Sequence, residues 1–140
     1  MPGDNRDHLI QTGDWLRRVA AAHRAALERA LSPHGLTAPQ YGTLMILRRE
    51  PGLSSADVAR QERLTPPTVS VIVRNLEKMG ALERRDHEAG GRIQRLFLTI
   101  LGKRLIVEAE ERVAEVEAVV DRALGKLEFI AAMRRLAAEL

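Results

Sequence analysis

Thr65, Pro66 and Pro67 are the tightest constraint on how this chain of 140 residues can fold. Proline has no amide hydrogen and a fixed φ, so two in a row break a helix interior or a central strand. They fit the first turn of a helix, where the amides lack internal partners anyway and a threonine ahead of them can cap the end. Behind them, "TVSVIVRNLEKMG" sets Val69, Ile72, Val73 and Leu76 at i, i+3, i+4 and i+7, one apolar stripe stopped by Gly80. At about 100° per residue, the opposite side carries Pro67, Ser70, Val71, Arg74 and Lys78, with Thr68 and Asn75 at one edge.

The flanking segments are also helical. Leu16, Val19, Leu27 and Leu31 mark a helix within Leu9 to Leu31; Gly13 weakens its front, so a start near Asp14 is expected, and "SPHG" ends it. Thr37 and Gln40 are spaced as a capping box with Pro39 in the first turn, opening a helix through Tyr41, Leu44, Met45 and Leu47 to Arg49. Ser54 and Asp57 repeat the device before a short helix with Val58 inward, and "RLT" is the turn that follows. After Gly80, "ALERR" and "RIQRLFLT" flank the polar "DHEAGG" and read as a β-hairpin with a loose tip. From Thr99 a long stripe of Leu101, Leu105, Val113, Val116, Val120 and Leu124 predicts a helix, broken at Gly125 before a last helix with Leu127, Ile130, Met133, Leu136 and Leu140.

The expected fold is mainly α, of the α+β class: a winged helix-turn-helix unit with a two-stranded wing over residues 37–99. The amphipathic C-terminal helices (100–140) exceed what so small a winged unit needs, so they are expected to bury the surplus across a two-fold interface; with the N-terminal helix (1–36) the whole forms one structural unit. Two short helices, a tight turn and a basic hairpin suit a protein that lays one helix in the major groove of double-stranded DNA. Arg74 and Lys78 can meet phosphates or guanine edges; Thr68, Ser70 and Asn75 are short enough for base edges; Val71 can touch a thymine methyl. Arg84, Arg85 and Arg92 on the hairpin can reach phosphates or a minor groove, and Ser55, Thr65 and Pro67 complete the candidate set. Between Leu44 and Leu98 there are ten Lys/Arg against seven Asp/Glu, whereas Leu101 to Leu124 has four against six. One such helix alone would read as an amphipathic helix with a solvated charged face; the combination of helix, turn, capped helix and arginine hairpin favours DNA.

The sequence excludes other chemistries. Without cysteine there are no disulfides, thiolate metal sites or thiol switches. His8, His23, His34 and His87 lack metal-binding spacing, so no metal or cofactor is expected. No Ser/His/Asp grouping, phosphate-cradling glycine loop or carboxylate pair points to an enzyme. No apolar run reaches the length of a membrane span, and none near the amino terminus suits a signal peptide; a soluble cytoplasmic protein is the expectation.

"GLTAPQYGTLMILRREPGLSSADVARQERLTPPTVSVIVRNLEKMGALERR" and the later "LFLTILGKRL" resemble the MarR-type transcriptional regulators, over about Leu9 to Leu140. The "LEKMGALERR" joint, and "LT" with Gly102 opening the long helix, are the most specific parts. The resemblance implies a homodimer with intertwined terminal helices, and so a part for the N-terminal helix (1–36) in dimerisation. It also implies paired winged domains on a pseudo-palindromic site, and repression relieved by a small aromatic or anionic molecule. Such proteins often have a ligand cleft by their first two helices, where Trp15, His23, Tyr41 and Met45 fall. The chain departs from the pattern at Gly90, where an acidic residue usually precedes the wing arginine by two positions. It departs again at Val71, a frequent arginine, and at Arg74, commonly acidic. Two alternatives stand beside this reading: a winged-helix interaction adaptor that no longer reads DNA, and a regulator without a ligand.

Overall fold

The computed structural model describes residues 11–86 and 92–140, so the expectations for His8, His87, Gly90 and a helix start at Leu9 lie outside the described residues. Six helices and one hairpin follow in the order α1 (Thr12–Leu31), α2 (Ala38–Arg49), α3 (Ser55–Glu62), α4 (Pro66–Lys78), β1 (Leu82–Asp86), β2 (Gln94–Leu98), α5 (Ile100–Leu124) and α6 (Lys126–Glu139). This is the winged helix-turn-helix plan with terminal helices.

The local signals act as chemistry dictates. Both capping boxes form: Thr37 exchanges hydrogen bonds with Gln40, and Ser54 with Asp57. Thr65 caps α4 by accepting from the Thr68 amide at 3.4 Å, with Pro66 and Pro67 as its first residues. Gly80 stops α4 at φ +76°, and Gly125, at φ +66°, separates α5 from α6. Residues 32–34 add one 3-10 turn after α1.

The core lies under the winged unit. Val69, Ile72, Val73 and Leu76 are buried as the period demands, against Leu31, Leu44, Leu47, Val58, Leu82 and Leu96. The hairpin is antiparallel, with Leu82 opposite Leu98, Arg84 opposite Leu96 and Arg85 opposite Arg95. Leu53 adds an isolated bridge to Leu96, its carbonyl accepting from the Leu96 amide at 2.8 Å, so the wing is rooted in the loop after α2. The sequence does not announce this bridge, because one residue of strand carries no period.

The face of α5 needs a correction. The buried residues are Gly102, Ile106 and Ala109, whereas Leu105, Val113, Val116 and Val120 are half-buried and Leu101 and Leu124 exposed. Gly102, Ile106 and Ala109 mark the buried side; the predicted apolar stripe runs along its flank, half-buried to exposed. No residue of α6 is buried.

Candidate nucleic-acid interface

α4 brings together most of the candidate DNA contacts. Its apolar side is held in the core, which leaves Pro67, Thr68, Ser70, Val71, Arg74, Asn75 and Lys78 exposed on one outer surface. Val71 is 51% exposed, unusual for a valine with a core within reach. Thr65 sits at the head of this surface, its hydroxyl 2.8 Å from that of Thr68. Ser55 lies apart, half-buried at the first position of α3. The joint between α3 and α4 is tight enough that Arg63 adopts the left-handed conformation, at φ +52°.

The two adjacent arginines of β1 part company. Residues paired across an antiparallel ladder share a face, and neighbours along a strand do not. Arg84 therefore lies on the face of buried Leu96, turned to α4, where its Nε donates to Glu77 Oε2 at 3.1 Å. Arg85 lies on the other face, where its Nε donates to Glu83 at 2.8 Å and its guanidinium rests 4.2 Å from the Phe97 ring centre. Arg92 is exposed just ahead of β2. α4 and Arg84 thus form one surface; Arg85 does not join it.

The ligand candidates separate too. Trp15 and His23 line an apolar groove of about 470 Å³ between α1, α5 and α6, with Val19, Val120, Leu124 and Phe129. His23 Nε2 stands 2.9 Å from Glu117 of α5. Tyr41 is buried, and burial, then the nearby Glu110 carboxylate, hold its phenol above the ordinary range. Arg48 of α2 pairs with that same Glu110. Met45 packs half-buried against the core and does not line the groove.

A family model described as MarR family matches residues 34–93, from the turn after α1 through the wing. The HTH-type transcriptional repressor Rv2887 of Mycobacterium tuberculosis (strain ATCC 25618 / H37Rv) is 40% identical over 115 residues, which span 82% of this chain and 81% of that protein. The chain belongs to the MarR family. Its members are DNA-binding transcription regulators, and this assignment agrees with the winged fold. Among solved structures, Rv2887 in complex with salicylic acid is 34% identical, with a TM-score of 0.68 and full coverage of both chains. PcaV of Streptomyces coelicolor, in complex with its natural ligand, is 28% identical with a TM-score of 0.81, covering 99% of this chain and 98% of that one. The fold is also that of MepR of S. aureus in its DNA complex, at 24% identity and a TM-score of 0.84 over 94% of this chain and 99% of that one.

In this MarR-family chain, three features of the site escaped sequence reasoning. Glu77 stands seven residues after Ser70, hence on the same ridge of α4, and that spacing was the signal that could have found it. Arg95 donates to the Gly52 carbonyl at 2.8 Å and braces the root of the wing. Arg48, Arg85 and Lys103 line a second cleft of about 470 Å³ with Leu47, Pro51 and Phe97. Its walls come from α2, the wing and α5, so no local motif encodes it.

Proposed function

We propose that this chain is a homodimeric, sequence-specific repressor that releases a pseudo-palindromic operator when a small anionic or aromatic molecule binds. The observation that carries the reading is the outer face of α4: short polar groups, a valine and two cations held outward by a buried apolar stripe. Ser70, Thr68 and Asn75 supply base-edge hydrogen bonds, Val71 a thymine-methyl contact, and Arg74 and Lys78 contacts to guanine or phosphate. Arg92 supplies a phosphate contact from the wing. The family relationship to a named repressor supports the direction of control.

Two further observations support the finer parts. Trp15, Leu16, Val19, Val119, Leu124, Leu127 and Ile130 are all exposed large apolar residues on α1, α5 and α6, a surface that a second copy would cover. The relative Rv2887 is known with salicylic acid, and here Trp15 and His23 line the apolar groove between α1, α5 and α6, which makes that groove the proposed effector site.

The test is fluorescence anisotropy with DNA from the chain's own upstream region against shuffled DNA of equal length, repeated over a salt series. The expected result is at least a thousandfold preference for the upstream DNA and affinity that falls steeply with salt. Equal affinity for both DNAs would refute sequence-specific regulation. Addition of salicylate is expected to release the bound DNA, and sedimentation of the free protein to give a dimer.

A further inference from the structure

A carboxylate on a ridge that meets a polyanion requires an explanation. Glu77 follows Ser70 by seven residues and Arg74 by three, so it stands in line with both on the outer side of α4. It is exposed there, and a bare carboxylate would repel the phosphates that Arg74 and Lys78 attract. Its partner resolves the conflict. Arg84 reaches from β1 and gives Glu77 its Nε–H at 3.1 Å, joining the reading helix to the wing.

The way the pair is made matters more than its charge. Arg84 is opposite the fully buried Leu96, on the inner face of the hairpin, and its side chain is 30% exposed, against 59% for Arg85. The stem is therefore packed and only the head is free to turn. A guanidinium is a planar fork of five donors. With Nε committed to Glu77, the two Nη groups have no hydrogen-bond partner among the described residues. Those are the groups that grip a phosphate with two parallel bonds. Arg85, by contrast, spends Nε and Nη2 on Glu83, lies on Phe97 and faces away from α4.

We infer that Glu77 is a positioning residue for DNA binding: it holds the Arg84 guanidinium by its Nε edge so that the Nη edge meets the DNA backbone where α4 and the wing come together. This goes beyond the function proposed above and rests on its DNA-binding part. Arg84 is then a phosphate anchor of fixed orientation. Glu77 acts through it and touches no nucleotide.

The test measures affinity and salt slope for upstream and shuffled DNA with Arg84→Ala, Glu77→Ala, Glu77→Gln and the double variant Glu77→Ala/Arg84→Ala. Arg84→Ala is expected to weaken binding to both DNAs about tenfold and to lower the salt slope by about 1, the signature of one lost phosphate contact. Glu77→Ala is expected to do the same in direction, although removal of a negative charge alone would strengthen binding. The double variant should be no weaker than Arg84→Ala, and Glu77→Gln should recover part of the loss, because its amide oxygen still accepts from Nε. Thermal unfolding of each variant serves as the control for folding: the Glu77 variants should melt close to the parent, and any fall for Arg84→Ala reports the packing of its stem and is compared with the change in DNA binding. Glu77→Ala with unchanged or tighter binding, or a loss that adds to that of Arg84→Ala, would overturn the inference. A Glu77→Ala variant altered at one base position only would also overturn it, making Glu77 a reader of cytosine. If the unaltered protein binds neither DNA, the functional reading falls first and this inference with it.

Discussion

Replacement of Gly102 by alanine decides between two opposed expectations. Gly102 lies in the first turn of α5, where helix propensity alone predicts that alanine stabilises by about 1 kcal/mol. The packing predicts the reverse. A Cβ at Gly102 would lie 2.0 Å from the Ala81 carbonyl oxygen and 3.0 Å from its carbon, backbone atoms with no rotamer to change. To restore ordinary contact, α5 must move from the Gly80–Ala81 joint by about 1 Å or more. That shift strains the bonds that seat it: the Thr99 amide donating to Ala81 at 3.1 Å, and the Thr99 hydroxyl donating to Gly80 at 2.5 Å. Overpacking of this kind costs about 1–3 kcal/mol, and each compromised hydrogen bond about 1 kcal/mol more. With both bonds compromised and less the propensity gain of about 1 kcal/mol, the net loss is about 2–4 kcal/mol, or roughly 10 °C in melting temperature for a chain of this size. Thermal unfolding followed by circular dichroism measures it directly. A Gly102→Ala protein that melts at or above the temperature of the parent would refute the close approach of α5 to the joint.

Other outcomes follow from the caps, the titrating groups and the reading face. The hydrogen bonds from the Ser54 amide and hydroxyl hold the Asp57 carboxyl below its usual range, so its stabilisation is present above about pH 4 and is lost as pH falls through the lowered value. Asp57→Ala should therefore destabilise by about 1 kcal/mol at pH 7 in urea unfolding, with the gap narrowing below pH 4. Burial raises the Glu62 carboxyl above its usual range, which reverses the sign: stability falls as pH rises through the ordinary carboxylate range and the carboxyl must ionise where it is buried. Glu62→Gln should melt higher than the parent at pH 7 and no higher at pH 4. Arg92→Ala should weaken binding to all sequences and flatten the salt dependence, whereas Ser70→Ala or Arg74→Ala should change which bases are preferred, each by about 1–3 kcal/mol at its own position; selection from a randomised DNA pool separates the two behaviours.

The winged unit was legible because its signals are local and agree with one another. Thr37, Ser54 and Thr65 each act on amides three residues away, and Pro66 and Pro67 are legal only in a first turn, so each helix start was written within five residues. The outer face of α4 was legible from a single period on a single helix. What failed to show in the sequence depends on distance along the chain. The core side of α5 is set by Gly102, Ile106 and Ala109, of which Gly102 reveals nothing until the Ala81 backbone it approaches is known. The larger Leu101 and Leu124 drew the eye to a stripe that the winged unit leaves exposed. The separation of Arg84 from Arg85 depends on the strand register, and the cleft of Arg48, Arg85 and Lys103 joins three distant segments.

The same contacts explain why α5 matters to a face it never forms. Its first turn is seated on Gly80 and Ala81, the residues that end α4 and begin the wing. Further along, Glu110 pairs with Arg48 of α2, and Glu117 with His23 of α1. The helix is thus pinned to the reading unit at one end and to the apolar surface of α1 at the other. In the proposed dimer, any change in how the two copies of α5 are placed would carry the two α4 helices with it. Engagement of both α4 ridges with successive major grooves on one side of the duplex requires the distance between them to be about 34 Å. At the proposed effector site between α1 and α5, a ligand would act without touching α4, by turning a helix whose far end is seated, through Gly102 against Ala81, on the joint that follows α4.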